Sequence, residues 1–343
     1  MSEKIAADHF INLIPDHVVA DVRSPAEFDT GHIPLSVNIP IFENEERAEI
    51  GTIYKQKGKW PAVDRGLEIV GPKMIHFVRQ ARALTKGERL LMYCWRGGMR
   101  SGSMAWLLET AGIPVTLLED GYKGFRQYGK NSLTRNAKII VVGGYTGSGK
   151  TKVLKALEEM GEQVLDIEAL ARHRGSSFGA IGKEHQKTNE QFENDLIMKW
   201  ISFDFQRIIW VEDESRILGF NHIPEELYLR IREAEVYKLE IPKSERVKNL
   251  VEDYAVYDSV QLESAVLRIQ SKLGGLATKN ALKALGENNF AEVASISLDY
   301  YDKTYAFGLA KRDQTMISSH EFDVFEPQQI AETFIRFYQK RAL

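Results

Sequence analysis

Only one cysteine, Cys94, occurs in the 343 residues of this chain, which excludes an internal disulfide and any zinc site built from a cysteine cluster. Such scarcity fits a reducing compartment. Nowhere is there a run of 18 apolar residues, and the opening MSEKIAADHFINLIPDH has no basic segment followed by a long apolar stretch. The expectation is a soluble, cytoplasmic protein without a membrane span. A strong charge bias is missing as well. With a formal net charge of −3 the chain has no general basic coat, so any contact with a nucleic acid must come from local patches. Internal repeats and low-complexity tracts are absent too.

What is present is ordinary globular material, 43% hydrophobic and 27% charged, in a chain longer than one core usually supports. Two domains or more are expected. Over residues 1–128 short apolar runs alternate with helical spacing. Residues 17–22 (HVVADV) read as strand, 72–85 as helix through Ile75, Val78, Ala81 and Leu84, 89–94 as strand, 101–111 as helix and 115–118 as strand. This alternation predicts a parallel α/β sheet. Residues 42–71, polar and rich in Gly and Lys, interrupt it and read as a disordered loop or a lid inserted over one face. The basic, aperiodic stretch 124–138 suits a linker, placed at 129–137. A second α/β domain follows over 138–240, with strands at 139–142, 163–167 and 208–211 and helices near 152–160 and 191–203. Beyond about residue 224 the text is mostly helical, and residues 241–343 are expected to pack as a helical region on the second domain.

Cys94 stands in YCWRGGMRSG, residues 93–102, between the apolar Leu90, Leu91 and Met92 and a helix start. Strand, glycine turn and helix would aim the backbone N–H groups of Trp95, Arg96, Gly97, Gly98, Met99 and Arg100 at one point, where the helix N-terminus also favours an anion. With Arg96 and Arg100 adding positive charge, the thiolate is expected below the free value of ~8.5. The plainer alternative is a buried structural cysteine at a strand end. Upstream stands Asp21-Val22-Arg23-Ser24-Pro25-Ala26-Glu27-Phe28, then Gly31-His32-Ile33-Pro34 and Asn38-Ile39-Pro40. A lone Asp-x-Arg would be a cap and a surface ion pair. The whole string, with Cys94 and the later Gly121-Tyr122-Lys123-Gly124-Phe125, resembles the rhodanese family over about residues 10–128. It departs from common single-domain rhodaneses in its loop: Cys94-x5-Arg100-Ser101 is the spacing of cysteine-dependent phosphatases, a wider anion cradle suited to a tetrahedral, phosphate-like donor.

Gly144-Tyr145-Thr146-Gly147-Ser148-Gly149-Lys150-Thr151 is a full G-x4-G-K-[ST] loop between an apolar strand and a helix, which makes the second domain P-loop NTPase-like. Its N–H groups would wrap a diphosphate, Lys150 would meet the terminal phosphate, and the Thr151 hydroxyl would hold a magnesium ion. Glu212 and Asp213, ending a later strand, are the metal-side candidates, and spacing does not separate them. Arg216 could reach phosphates bound at Lys150. Residues 172–187 concentrate Arg172, Arg174, Lys183, His185 and Lys187 around Phe178. They read either as a solvated basic loop or as a contact surface for the phosphates of RNA or a nucleotide, with Phe178 available for stacking.

In combination the chain resembles the tRNA 2-selenouridine synthases over essentially its whole length, through DVRSPAEFDTGHIP, GTIYKQKG, CWRGGMRSG, GGYTGSGKT, LARHRGSSFG and WVEDESRILG. The resemblance implies exchange of sulfur for selenium at the wobble 2-thiouridine of tRNAs for Lys, Glu and Gln, with selenophosphate as donor and S-geranylation from geranyl diphosphate on the way. It makes tRNA the macromolecular partner, with Arg172, Arg174, Phe178, Lys183 and Lys187 on the anticodon arm, and a selenophosphate synthetase a candidate second partner. Cys94 would attack selenophosphate, release phosphate into the Arg100 cradle and carry selenium to the base as a Cys–Se adduct. Other readings stay open: sulfur transfer through a Cys94 persulfide, a cysteine-dependent phosphatase with a nucleotide-binding domain, or a nucleotide-regulated binding protein. Whether the second loop takes ATP, GTP or a prenyl diphosphate is not decided by its residues.

Overall fold

The computed structural model describes residues 2–342, which divide into two compact units meeting in sequence between Leu133 and Thr134. In the first unit the strands are β1 (Glu3–Ile5), β2 (Val18–Asp21), β3 (Ser36–Asn38), β4 (Leu90–Tyr93) and β5 (Val115–Leu118). They form one parallel sheet in the order β1-β5-β4-β2-β3. All four residues of β4 are buried, as a strand covered by helices on both faces requires. Its neighbour β2 ends at Asp21, in register with Tyr93, so Cys94 and Arg23 leave the sheet at the carboxyl ends of adjacent strands, where open α/β sheets place their sites. Helices α1 (Ala7–Leu13), α2 (Pro25–Thr30), α3 (Asn44–Lys57), α4 (Lys59–Val70), α5 (Met74–Thr85), α6 (Met99–Thr110) and α7 (Gly121–Ser132) complete the unit. Val22, Phe77, Met92, Met104, Leu108 and Leu117 belong to its core.

Two segments of this unit differ from their sequence reading. Residues 42–71, expected as a loop or lid, form the α3–α4 helical hairpin, broken only at Gly58 with φ +88°. A capping box of Glu43 with Glu46 starts α3, Arg65 joins the two helices through Glu49 at 2.6 Å, and Ile50, Ile69 and Val70 pack on the core. The polar faces of these helices hid their apolar stripe. Likewise much of 124–138, read as linker, is α7, which buries Tyr122, Phe125, Gly129 and Ser132 at helical spacing. Because two of those four are Gly and Ser, the stripe carries little hydrophobic signal.

In the second unit β6 (Lys138–Gly144), β7 (Gln163–Leu165), β8 (Ile208–Glu212), β11 (Glu235–Glu240) and β12 (Ile317–Glu321) form another parallel sheet, in the order β12-β11-β6-β8-β7. The short strands β9 (Ile217–Leu218) and β10 (Asn221–His222) pair antiparallel beside it. The region beyond residue 224 is mostly helical, as expected, and also contributes two strands to this sheet, with β11 between β6 and β12. Lys238 gives EVYKLE a helix-like composition, yet it is buried within the strand and paired with Glu240. The helices are α8 (Lys150–Glu159), α9 (Ile167–Ala171), α10 (Asn189–Ile201), α11 (Glu225–Glu233), α12 (Lys243–Tyr254), α13 (Ser259–Arg268), α14 (Gln270–Leu273), α15 (Gly275–Gly286), α16 (Phe290–Leu309) and α17 (Pro327–Ala342). Helix α17 packs on α8, and Val142, Leu154, Trp210, Tyr237 and Phe334 fill the core between helices and sheet. A separate cluster of Ile181, Leu262, Val266, Ala281, Leu285 and Val293 holds α13, α15 and α16 together. Among the described residues no helix is long and apolar enough to cross a membrane.

Candidate functional site

Cys94 is buried at the end of β4, and the start of α7 holds its loop in place. Tyr122 N donates to Cys94 O at 2.8 Å and Lys123 N to Trp95 O at 3.0 Å. This close approach requires glycine: a Cβ on Gly121, at φ +59°, would stand 2.2 Å from Cys94 O. Ser101, in the first turns of α6, donates its hydroxyl to Cys94 Sγ at 3.2 Å. Burial pushes the Cys94 thiol up, but the Ser101 hydroxyl, the Ser101 and Arg96 amides and the Arg100 charge outweigh it, and the net pKa is lowered. Gly97 and Gly98 form the turn into α6, while Trp95 and Met99 are exposed beside it.

Arg100, expected to form the anion cradle, instead pairs with Glu27 at 2.7 Å. Glu27 also caps α2 with Ser24 and lies 3.6 Å from Arg47 of α3. Although burial works to raise the Glu27 pKa, the hydrogen bond and charge of Arg100 hold it below the ordinary range. Glu27 thus engages Arg100 directly, a partner not singled out from the sequence. Asp21 and Arg23 are not the surface pair that a lone Asp-x-Arg suggests. Both are buried, with Arg23 Nη2 donating to Asp21 at 2.6 Å and to Gly31 O at 2.7 Å, and the guanidinium 4.0 Å from the Tyr122 ring centroid. They tie the end of β2 to the chain beyond α2.

In the second unit Gly144–Thr151 lead from β6 into α8. Gly149 has φ +82°, and a Cβ there would come within 2.1 Å of the Phe325 ring. Helix α12 braces the loop: Arg246 donates to Thr146 O at 3.2 Å and pairs with Asp302, and Asn249 donates to Gly147 O at 3.0 Å. Lys150 Nζ donates back to Gly144 O at 3.1 Å. The buried Ser148 Oγ has no partner. A cavity of about 490 Å³ opens from this loop. Its polar lining includes Lys150, Arg174, Glu168 and Glu214, and its apolar lining Phe178, Leu250, Leu262, Phe290 and Val293. Arg174 Nη1 is buried without a partner.

Structure separates Glu212 from Asp213. Asp213 is neutralised by Arg312, which donates to it, and accepts the Tyr305 hydroxyl at 3.0 Å, with Arg232 at 3.6 Å. Tyr305 in turn accepts Gly144 N at 2.8 Å. Glu212 accepts Glu168 N at 2.7 Å through one oxygen, and its other oxygen has no partner. Thr151 donates its hydroxyl to Glu168 at 3.2 Å. Burial first, then the neighbouring Glu168, pushes Glu214 up to about 8, and burial first, with nearby carboxylates adding to it, raises Asp166, Glu168 and Glu212 as well. Among the described residues no group of three or more His, Cys, Asp or Glu is arranged to hold a metal. Thr151 and Glu168 at the loop still fit a magnesium ion held mainly by substrate phosphates and water, the usual mode of that ion. Glu168, Glu214, Arg174 and Arg232 were not separable from solvated charges by sequence, because β8 and the 172–179 loop meet only in the folded unit.

The remaining sequence candidates are placed as follows. Arg216 pairs with Glu225 at 3.3 Å and is not among the residues lining the cavity. Arg174 and Phe178 line the cavity, with Arg174 also 5.1 Å from the Tyr254 ring centroid, so neither belongs to a free basic surface. Arg172 pairs with Glu184 at 3.0 Å and Lys187 with Asp195 at 2.6 Å, which leaves Lys183 as the exposed cation of that set without such an ion pair.

Comparison with known proteins agrees with this division. Residues 6–128 match the rhodanese-like domain model, and residues 137–326 match the tRNA 2-selenouridine synthase AAA domain model. The chain is 38% identical to the tRNA 2-selenouridine synthase of Nitrosomonas europaea, over 70% of this chain and 64% of that one. It is 33% identical to the tRNA 2-selenouridine synthase of Bdellovibrio bacteriovorus, over 92% of this chain and 95% of that one. The match thus spans slightly less than two thirds of the Nitrosomonas protein and nearly all of the Bdellovibrio one.

Proposed function

The chain belongs to the tRNA 2-selenouridine synthase family, and from that premise we propose that it converts the wobble 2-thiouridine of tRNAs for Lys, Glu and Gln to 2-selenouridine in two stages. The first stage is S-geranylation at the P-loop; the second is selenium delivery at Cys94. One observation carries the first stage: the phosphate-binding loop opens into a cavity with a large apolar lining. A diphosphate bearing an isoprenoid tail matches that combination better than a nucleoside triphosphate, whose base and ribose ask for polar partners.

In the first stage the loop N–H groups, Lys150 and Arg174, whose Nη1 has no partner, hold the diphosphate, and Phe178, Leu262 and Phe290 take the chain. A magnesium ion, held by Thr151 and Glu168, would supply further neutralisation of the leaving diphosphate. Sulfur attacks the allylic carbon, the carbon–oxygen bond breaks, and the N3 proton of the base passes to the departing diphosphate.

In the second stage electron balance fixes where Cys94 acts. A Cys–Se adduct formed by attack at selenium would expel phosphorus as phosphite, two electrons richer than phosphate. Attack of the Cys94 thiolate at phosphorus breaks the P–Se bond, and selenium leaves with the electron pair as selenide, the oxidation level found in the product. Selenide adds at C2, geranylthiolate leaves, and water hydrolyses the S-phosphocysteine to phosphate. Arg100, released from Glu27, stabilises the phosphoryl group. Mass spectrometry of nucleosides from 2-thiouridine tRNA tests the whole reading. Geranyl diphosphate alone should yield S-geranyl-2-thiouridine, and adding selenophosphate should yield 2-selenouridine. Appearance of 2-selenouridine only when ATP or GTP is supplied would overturn it.

A further inference from the structure

A second cavity, of about 600 Å³, lies wholly within the first unit, between the α3–α4 hairpin and the start of α6. Phe42, Ile50, Val63, Val70 and Leu67 line it, together with Met99 at the start of α6. Several of its apolar side chains are held open to solvent: Leu67 is 66% and Met99 57% exposed. Its cations are Arg47, Lys55, Lys59 and Arg100, with Arg47 and Arg100 sharing the single carboxylate of Glu27. Gly102 of α6 also lines it, and a Cβ there would meet nothing within 4 Å.

An apolar floor with an excess of positive charge at its edge complements an amphiphile whose tail is hydrocarbon and whose carrier is a polyanion. We propose that this groove binds the geranyl chain of the S-geranylated tRNA, seating the modified base against the Cys94 loop for selenium delivery. The proposal rests on the two-stage reading given above and adds a site distinct from the diphosphate cavity of the second unit. No bond within the geranyl hydrocarbon changes when C2 reacts, and its burial fixes the orientation of the base, so binding energy of a non-reacting part is used for positioning. The leaving geranylthiolate is retained by the same contacts when the C2–S bond breaks. Met99 and Arg100 connect the two functions, since they line the groove and form the first turn of α6, directly after the Cys94 turn.

The test uses the full chain and two anticodon stem-loop RNAs that differ only at the wobble sulfur, one S-methylated and one S-geranylated. Wild-type protein should bind the geranylated RNA roughly tenfold tighter, or more. Gly102→Leu, which fills the groove, and Leu67→Gln, a neutral polar change at an exposed position, should each remove most of that preference while binding the S-methyl RNA as wild type does. No preference in the wild type, or a preference retained by both variants, would overturn the proposal. Geranyl transfer from geranyl diphosphate to 2-thiouridine tRNA is measured on the wild type in parallel. If transfer is absent while the preference exists and the variants abolish it, the groove stands and the first-stage reading fails.

Discussion

A buried thiol ordinarily titrates high, and Cys94 does the reverse because its loop supplies hydrogen-bond donors and a cation that favour the thiolate. Cys94→Ser should therefore give no detectable 2-selenouridine while S-geranyl-2-thiouridine accumulates, since a hydroxyl there is neither ionised nor able to take up the phosphoryl group. Wild-type 2-selenouridine yield from the serine variant would sink the Cys94 mechanism. Ser101→Ala removes the hydroxyl donor to Sγ, so the acidic limb of the selenation rate against pH should move to higher pH. A limb that stays in place would mean that another group titrates there. Glu214 behaves in the opposite sense. Its folded pKa of about 8 lies above the ordinary 4.5, so between those values the folded chain keeps a proton that the unfolded chain has lost. The stability contributed by the neutral carboxyl is complete below 4.5 and is lost as pH rises through about 8. Glu214→Gln, which cannot ionise, should flatten that decline in denaturant unfolding of the ligand-free chain, and an unaltered pH slope would contradict the assignment.

Elements were legible in the sequence where local chemistry alone determines them. The loop Gly144–Thr151 needs a strand before it and a helix after it, and β6 and α8 are there; Cys94 between β4 and α6 is the same case. Elements decided by tertiary contact were not legible. Strand β11 is made by its neighbours β6 and β12, which bury its Lys238, and α7 is made by packing that treats Gly129 and Ser132 as interior residues. The acid cluster around Glu214 and the pairing of Arg100 with Glu27 likewise join residues far apart in sequence. The α7 start also yields a prediction. Gly121→Ala puts a Cβ against Cys94 O in a left-handed backbone position, which costs about 1–3 kcal/mol and distorts the Cys94 loop. Selenation of pre-geranylated tRNA should fall sharply in this variant, whereas geranylation should persist at the intact P-loop. Equal loss of both activities would show that the effect is global unfolding.

Across the whole molecule the Cys94 loop and the Gly144–Thr151 loop belong to separate compact units, each with its own sheet and core. A chain of net charge −3 must draw tRNA through local positive charge, and the 172–187 patch has Arg172 and Lys187 tied up in ion pairs. Binding is then local and salt-sensitive, and the geranylated tRNA is expected to leave one protein molecule and be used by another. The two stages should consequently complement in trans. Cys94→Ser protein retains the P-loop stage. Lys150→Ala protein retains Cys94 but loses a charge-assisted contact to diphosphate worth about 1.5–3 kcal/mol, so it is fed only by geranylated tRNA. Neither variant alone should make 2-selenouridine from 2-thiouridine tRNA with both co-substrates, and an equimolar mixture should make it at a rate that rises with protein concentration. Supplying synthetic geranylated tRNA should restore the Lys150→Ala protein without its partner. If the mixture stays inactive although Lys150→Ala protein converts geranylated tRNA, the intermediate is passed within one molecule and the units act as a channelled pair. If Lys150→Ala protein cannot use geranylated tRNA at all, the P-loop serves selenium delivery too and the division between the two loops is wrong.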